Sequence, residues 1–345
     1  MKKNFAVLSL AFLLAFGAAE IFLRIFPTEA VYFQTRNVVQ QTHSVPDPDP
    51  VLKYVPAPSL AKPFSNLEFK TMIDTNARGM RGRDYADIKP PGVRRIMALG
   101  DSFTFGWGVE NPQVFTQVLE DRLLSNVEVW NLGVSGYSVD QELARFELHG
   151  LPYQPDIVLM EIMGEPTLSD GNFVFRNGQL YFSETENFNL LKKTAAFLER
   201  RCHACAALGL VLRRLDFRGL APHGAGAGDE SSGETGYAVL DRFAALGKDR
   251  GFTPVLVYFP SKADFKNRAA AEQAGSLLKY CSEKNLACLS LDQALLEAEK
   301  RGEKPFFRID DHWTPAGHEA AARALRDFLR EKKMLEPGFF RESAA

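Results

Sequence analysis

Hydrophobic and polar positions divide this chain into three stretches of different character. The first is an apolar run from Phe5 to Phe26, interrupted only near its far end by Glu20 and Arg24. Those 22 residues would make a helix about 33 Å long at ~1.5 Å per residue, enough to cross a bilayer. Glu20 and Arg24 stand four apart, on one face, where they can pair near the interface. The reading is an uncleaved signal anchor over residues 1–26, with Lys2 and Lys3 inside and the body exported. Gly17-Ala18-Ala19 keeps a cleaved signal peptide as the alternative, and a buried helix of a cytosolic domain is the third reading. The second stretch, residues 27–92, carries Pro46, Pro48, Pro50, Pro56 and Pro58, which suit neither a helix nor a central strand. It reads as an extended approach segment, with one strand at 67–74 and a turn at 76–79.

The third stretch, 93–335, alternates short apolar runs with amphipathic ones. Strands are expected at 96–99, 127–132, 157–163, 254–259 and 287–291. Helices are expected from Asn111-Pro112, with Asn111 as cap, at 138–149, at 264–283, and after Thr314-Pro315. The last has an apolar face of Ala321, Ala324, Leu325, Phe328 and Leu329. Strands alternating with helices predict an α/β fold, a parallel sheet covered on both faces. Residues 165–237 break the rhythm as an insertion after the third strand. It holds a hairpin at 173–182 centred on Asn177-Gly178, a helical stretch at 187–215, and a Gly/Ser-rich loop at 219–236. Residues 336–345 form a tail.

Composition trims the possibilities. Lys and Arg total 41 against 43 Asp and Glu, so the near-neutral chain has no general pull on nucleic acid. Mean hydropathy of −0.17 excludes a multi-span membrane protein. Four cysteines, Cys202, Cys205, Cys281 and Cys288, suit disulfides in an exported protein, with three connectivities open. Zinc would need both pairs to converge, and the seven-residue spacing of the second is loose for it. A redox-active CxxC belongs at a strand-to-helix turn, and this one lies within a helical stretch.

Candidate chemistry gathers at strand ends. Gly100-Asp101-Ser102 follows the first strand, where open parallel sheets place their sites. A serine nucleophile needs a base, and the base an orienting acid. Of the six histidines, His312 stands out, in Asp310-Asp311-His312-Trp313-Thr314-Pro315 before the final helix. His318, inside that helix, suits a capping or packing role.

Gly100-Asp101-Ser102-Phe103-Thr104-Phe105-Gly106, Asn131-Leu132-Gly133-Val134-Ser135-Gly136-Tyr137-Ser138, and residues 310–318 resemble, in order, three blocks of the SGNH/GDSL hydrolase superfamily. The resemblance implies a three-layer α/β/α flavodoxin-like fold and metal-free, cofactor-free acyl-ester chemistry. It implies Ser102 as nucleophile, His312 as base, and the N–H groups of Ser102 and Gly136 as oxyanion hole. The family's acid usually precedes the histidine by three residues, where this chain has Ile309. Envelope polysaccharide acyltransferases of the family carry Asp-x-His, which favours Asp310 over Asp311. The third block usually ends its strand with an oxyanion asparagine, and here Glu165 holds that position. A carboxylate cannot donate to an oxyanion. Glu165 could point away with Asn172 or another donor in its place, or be protonated, or mark lost catalysis. Asn131 is expected to brace a turn.

Two functions follow. One is a membrane-tethered envelope serine esterase or O-acyltransferase, acting on acyl, above all acetyl, esters of carbohydrate. The other is a non-catalytic glycan- or partner-binding module on the same fold. A nucleotide-binding domain is disfavoured, since no GxGxxG or P-loop follows the first strand.

Overall fold

The computed structural model describes residues 2–26, 43–65, 68–168, 173–176, 179–182, 201–214, 236–267 and 270–341, with positions 28, 31 and 198. The chain divides into two compact units, residues 1–42 with 171–227, and residues 43–170 with 228–345.

The larger unit is built on five parallel strands. These are β5 (Arg94–Leu99), β6 (Val127–Asn131), β7 (Ile157–Ile162), β10 (Thr253–Tyr258) and β11 (Ala287–Ser290). Their order across the sheet is β11-β10-β7-β5-β6. Numbered along the sheet's own strands this is 2-1-3-4-5, the flavodoxin-like arrangement. Side chains alternate between faces. Ile96 and Ala98 of β5, Ile157 and Leu159 of β7, and Val255 and Val257 of β10 enter one core. Met97 and Leu99, Val158, Met160 and Ile162, and Leu256 and Tyr258 enter the other.

Helices cover both faces. On the first lie α3 (Phe115–Val118), α9 (Asp292–Lys300) and α10 (Pro315–Glu331), through Phe115, Leu295, Ala321, Leu325 and Leu329. On the second lie α4 (Val139–His149), α6 (Gly236–Arg250) and α8 (Ala270–Lys284), through Leu143, Phe146, Leu240, Phe243 and Leu277. Burying each such side chain stabilises the fold by about 1.5–3 kcal/mol. The expected strands therefore form within a residue or two of their sequence limits. The expected 264–283 helix is two, α7 (Lys262–Asn267) and α8. At the third helix the cap moves. Ahead of α3 lies a separate 3-10 turn, Asn111–Gln113, in which Glu110, not Asn111, closes a capping box with Gln113, while Arg81 donates to the Asn111 side chain.

From His43 onward the approach segment is not a spacer but part of this unit. It forms two antiparallel pairs, β1 (Ser44–Pro46) with β2 (Tyr54–Pro56), and β3 (Ala61–Ser65) with β4 (Lys70–Asp74). Pro46 and Pro56 end strands and Pro48, Pro50 and Pro58 lie in the turns between them, where a missing N–H costs little. Asp47 and Asp49 accept the N–H groups of Asp49, Val51 and Leu52, folding the link between β1 and β2. Leu52 and Tyr54 are fully buried. Asn76 accepts from the N–H of Arg78 and of Met80, making the expected turn.

In the smaller unit, α1 (Lys2–Ile25) and α5 (His203–Arg214) are helical, and β8 (Phe173–Arg176) pairs with β9 (Gln179–Phe182) in the expected hairpin register. The membrane span is not borne out: among the described residues, no helix is long and apolar enough to cross a membrane. Glu20 does pair with Arg24, at 2.7 Å, and its other oxygen accepts from Ala204 N–H, in the first turn of α5, at 2.7 Å. Of the three cysteine connectivities, the local one forms, Cys202–Cys205 and Cys281–Cys288. Asn177 and Gly178, and residues 187–197 and 219–235, which carry most of the expected helix and the Gly/Ser-rich loop, lie outside the described residues.

Candidate active site

The carboxyl end of β5 turns sharply into α2 (Ser102–Phe105). Asp101 caps it, its Oδ1 accepting from Phe103 N–H at 2.8 Å. Ser102 is the first helical residue, so its N–H has no intrahelical acceptor. Glu161, on the adjacent β7, fixes this turn. Its Oε2 accepts from Thr104 Oγ1 at 2.6 Å and from the N–H groups of Asp101 and Thr104 at 3.2 Å each. A Cβ on Gly100 would lie 2.1 Å from that oxygen, so only glycine lets the turn approach so closely.

The other half of the site comes from the loop before α10. Thr314 caps that helix, with Pro315 in its first turn. His312 Nε2 lies 2.6 Å from Ser102 Oγ, and His312 Nδ1 lies 2.6 Å from Asp310 Oδ1. The same Asp310 oxygen accepts from His312 N–H at 3.1 Å. The imidazole packs against Phe103 and Trp107, with ring centroids 4.8 and 6.0 Å away. Asp310 is buried and meets the imidazole, whereas Asp311 is exposed.

Burial alone would lower the His312 pKa. The Asp310 charge and hydrogen bond, with Asp101 and Asp311 beyond, outweigh it and hold the imidazole above its ordinary value. Burial would raise Asp310, but His312 and the donors around the carboxylate hold it below the usual range.

Two residues without a signal in the sequence reading position this loop. Glu68 Oε2 accepts from the N–H groups of Ile309 and Asp310 at 2.7 and 2.6 Å. Lys262 Nζ donates to the carbonyls of Arg308 and Asp310 at 2.8 and 3.3 Å. Glu161 did leave a signal, as the one ionisable side chain within the buried strand Ile157–Ile162.

Gly136 sits on the turn after β6 with φ of +84°. Tyr54 OH donates to Ser135 O at 3.0 Å, and Tyr137 OH donates to Tyr54 O, so β2 braces this turn. Asn131 braces it from inside, donating to Thr104 O at 2.6 Å and accepting from Gly133 N–H. Glu165 is exposed, and Tyr237 OH donates to its Oε2 at 2.9 Å. Burial and that carboxylate push the Tyr237 hydroxyl up to about 12. Asn172 lies outside the described residues.

His318 Nδ1 accepts from Phe115 N–H at 3.3 Å, a packing role away from the serine. His43 stacks on Phe105, 5.1 Å between centroids. Among the described residues no cluster of His, Cys, Asp and Glu could hold a metal ion.

Residues 227–342 match a family described as SGNH hydrolase-like domain, acetyltransferase AlgX. That third of the chain includes Asp310 and His312 and excludes Ser102. No curated protein matches the chain. Solved structures similar to it include a member of the lipolytic protein G-D-S-L family from Veillonella parvula, at 15% identity and TM-score 0.40 over 68% of this chain and 97% of that one. An α/β hydrolase from the metagenome of Lake Arreo, Spain, gives 16%, 0.41, 71% and 97%. An acetylxylan esterase from Geobacillus stearothermophilus gives 17%, 0.39, 74% and 100%. Likenesses this loose do not bear on the chemistry. The matched residues supply β10 and β11 of the 2-1-3-4-5 sheet and bring His312 to a serine in Gly-Asp-Ser, and over that third of its length the chain is similar to an SGNH hydrolase-like domain.

Proposed function

We propose that this chain is a serine esterase or O-acyltransferase acting on acyl esters of envelope carbohydrate, acetyl esters above all. The observation that carries the reading is the continuous relay Ser102 Oγ, His312 Nε2, His312 Nδ1, Asp310 Oδ1, with both links at 2.6 Å. In the reaction, Ser102 Oγ attacks the ester carbonyl carbon while His312 Nε2 takes the hydroxyl proton. Asp310 holds Nδ1–H and balances the imidazolium. The N–H groups of Ser102 and Gly136 face the oxyanion. The carbon–oxygen bond to the alcohol breaks, His312 returns the proton to the leaving oxygen, and acyl-Ser102 remains. Water or a sugar hydroxyl then attacks the acyl carbon, giving its proton to His312, and Ser102 Oγ leaves with it. Water makes the enzyme an esterase, and a sugar hydroxyl makes it a transferase. No step calls for a metal or cofactor.

Glu165 is drawn toward Tyr237, which favours its standing aside from the oxyanion. The two disulfides support an oxidising compartment and hence an exported body. The test is turnover of p-nitrophenyl acetate and labelling by a fluorophosphonate, wild type beside Ser102→Ala. Both signals should vanish in the variant. A folded wild type that neither turns over nor labels, and gains labelling in Glu165→Asn, sinks the catalytic reading in favour of a binding module.

A further inference from the structure

The acyl chemistry leaves unused three carboxyl groups held close to the serine. Asp101, Glu142 and Glu161 line a cavity of about 140 Å³, closed by Tyr137, Ser138 and, at its rim, Glu165. Glu142 and Glu161 are 5% and 3% exposed. Glu161 Oε2 is filled by the nucleophile turn, and Glu161 also shares a side-chain hydrogen bond with Asp101, but among the described residues Glu142 Oε2 has no hydrogen-bond partner. Buried carboxyl oxygens rarely stay unmatched in a folded protein. Among the described residues, no lysine, arginine or histidine lines the cavity. Arg145, on the same helix as Glu142, directs its Nε to Leu132 O.

We propose that this cavity is a binding subsite for a primary ammonium group on the molecule whose ester or acceptor hydroxyl meets Ser102. The volume, several times the ~30 Å³ share of one water, takes an ammonium with its adjoining carbons. Its three N–H donors match carboxyl oxygens, and the ionisable groups among the described lining residues, Tyr137 aside, are all acidic. Burial, with Asp101 and Asp140 beside Glu142, and Asp101 and Glu142 beside Glu161, keeps both glutamates above the usual carboxylate range. A cation entering between them favours their ionised forms, so binding releases protons. The inference takes from the proposed activity only the position beside Ser102, and binding is read without turnover.

The test is calorimetric titration of the full chain with glucosamine, glucose, N-acetylglucosamine and ethanolamine, in two buffers of different ionisation enthalpy. Glucosamine should bind at least about tenfold tighter than either neutral sugar, with proton release. Ethanolamine separates an amino sugar from a headgroup amine as the source of the ammonium. Glu142→Gln should weaken glucosamine about 30-fold or more. Equal affinity for glucose and glucosamine, or no binding of either amine, overturns the proposal on the unaltered chain, whether or not the variant folds. An unchanged affinity in a folded Glu142→Gln overturns it too. Amine binding without p-nitrophenyl acetate turnover would leave the subsite standing and remove the esterase.

Discussion

Glu161 offers a perturbation whose outcome separates two electrostatic descriptions of the nucleophile turn. Its carboxyl is buried beside Asp101 and Glu142, and burial first, then those charges, hold its pKa well above the ordinary carboxylate value. It therefore keeps its proton to higher pH than an ordinary carboxylic acid, and its Oε2 accepts three hydrogen bonds from the turn carrying Ser102. Glu161→Gln keeps the shape and an accepting oxygen, so the three bonds survive. Glu161→Ala orphans three donors at about 1–3 kcal/mol each, for a loss of roughly 3–9 kcal/mol before the cavity it opens is counted. The pH dependence has a definite sign. The folded pKa is raised, so above the unfolded value, near 4.5, the native state holds more protons than the unfolded one. This group's contribution to stability is full below that value and is lost as pH rises toward the folded pKa, at about 1.4 kcal/mol per pH unit. Glu161→Gln removes that loss. Urea unfolding at pH 5 and pH 7.5 should then show the glutamine variant gaining on the wild type as pH rises, and the alanine variant losing at both. If glutamine is as damaging as alanine, the group is ionised in the folded protein and the reasoning is wrong.

Other expectations follow from the same geometry. Because Asp310 holds His312 above its ordinary pKa, the acid limb of kcat/KM for p-nitrophenyl acetate should fall at a pH above ~6.5, and Asp310→Asn should lower kcat; an acid limb below 6 would contradict this. His43 and His318 are buried neutral, each with its pKa lowered from 6.5 to about 3, first by burial and then by Arg81. The unfolded chain takes up protons below 6.5 that the native state refuses, so these two together should cost about 4 kcal/mol of unfolding free energy between pH 7 and pH 5. Glutamine at both positions should flatten that slope in urea titrations. Glu68→Ala leaves the N–H groups of Ile309 and Asp310 without their acceptor, which should reduce kcat about 10–100-fold with KM for p-nitrophenyl acetate little changed. Glu68→Gln should restore most of it, since the amide oxygen can accept the same pair.

The sheet was legible because its strands are short, apolar and bounded by helix caps such as Ser138 and Thr314, both of which cap in the structure. The serine, histidine and acid were legible because each lies at an element boundary with a characteristic neighbour. The approach segment was not. Its prolines mark what it cannot be, while the burial of Leu52 and Tyr54 depends on Ser135, Tyr137 and Gln141, 81 to 89 positions further along the chain. The supports of the site were hidden for a related reason. Glu68 acts across 242 positions to reach Asp310, and no local period encodes such a contact. The N-terminal run misled in the other direction. Its apolar length reads as a span, but Glu20 accepts from Ala204 in α5, and Arg24 donates to Arg201 O, just ahead of α5, at 3.0 Å.

Ser102 and His312 stand 210 positions apart, on the first strand and the last helix approach of the same sheet. A ribosome therefore releases the hydroxyl long before its base exists. Until then the serine is an ordinary alcohol with no base to activate it. Its reactivity appears only when β10, β11 and α10 have closed the far side of the sheet. Acyl chemistry on this architecture reports completed folding, and limited proteolysis within the loop before α10 should silence the serine while leaving most of the core packed.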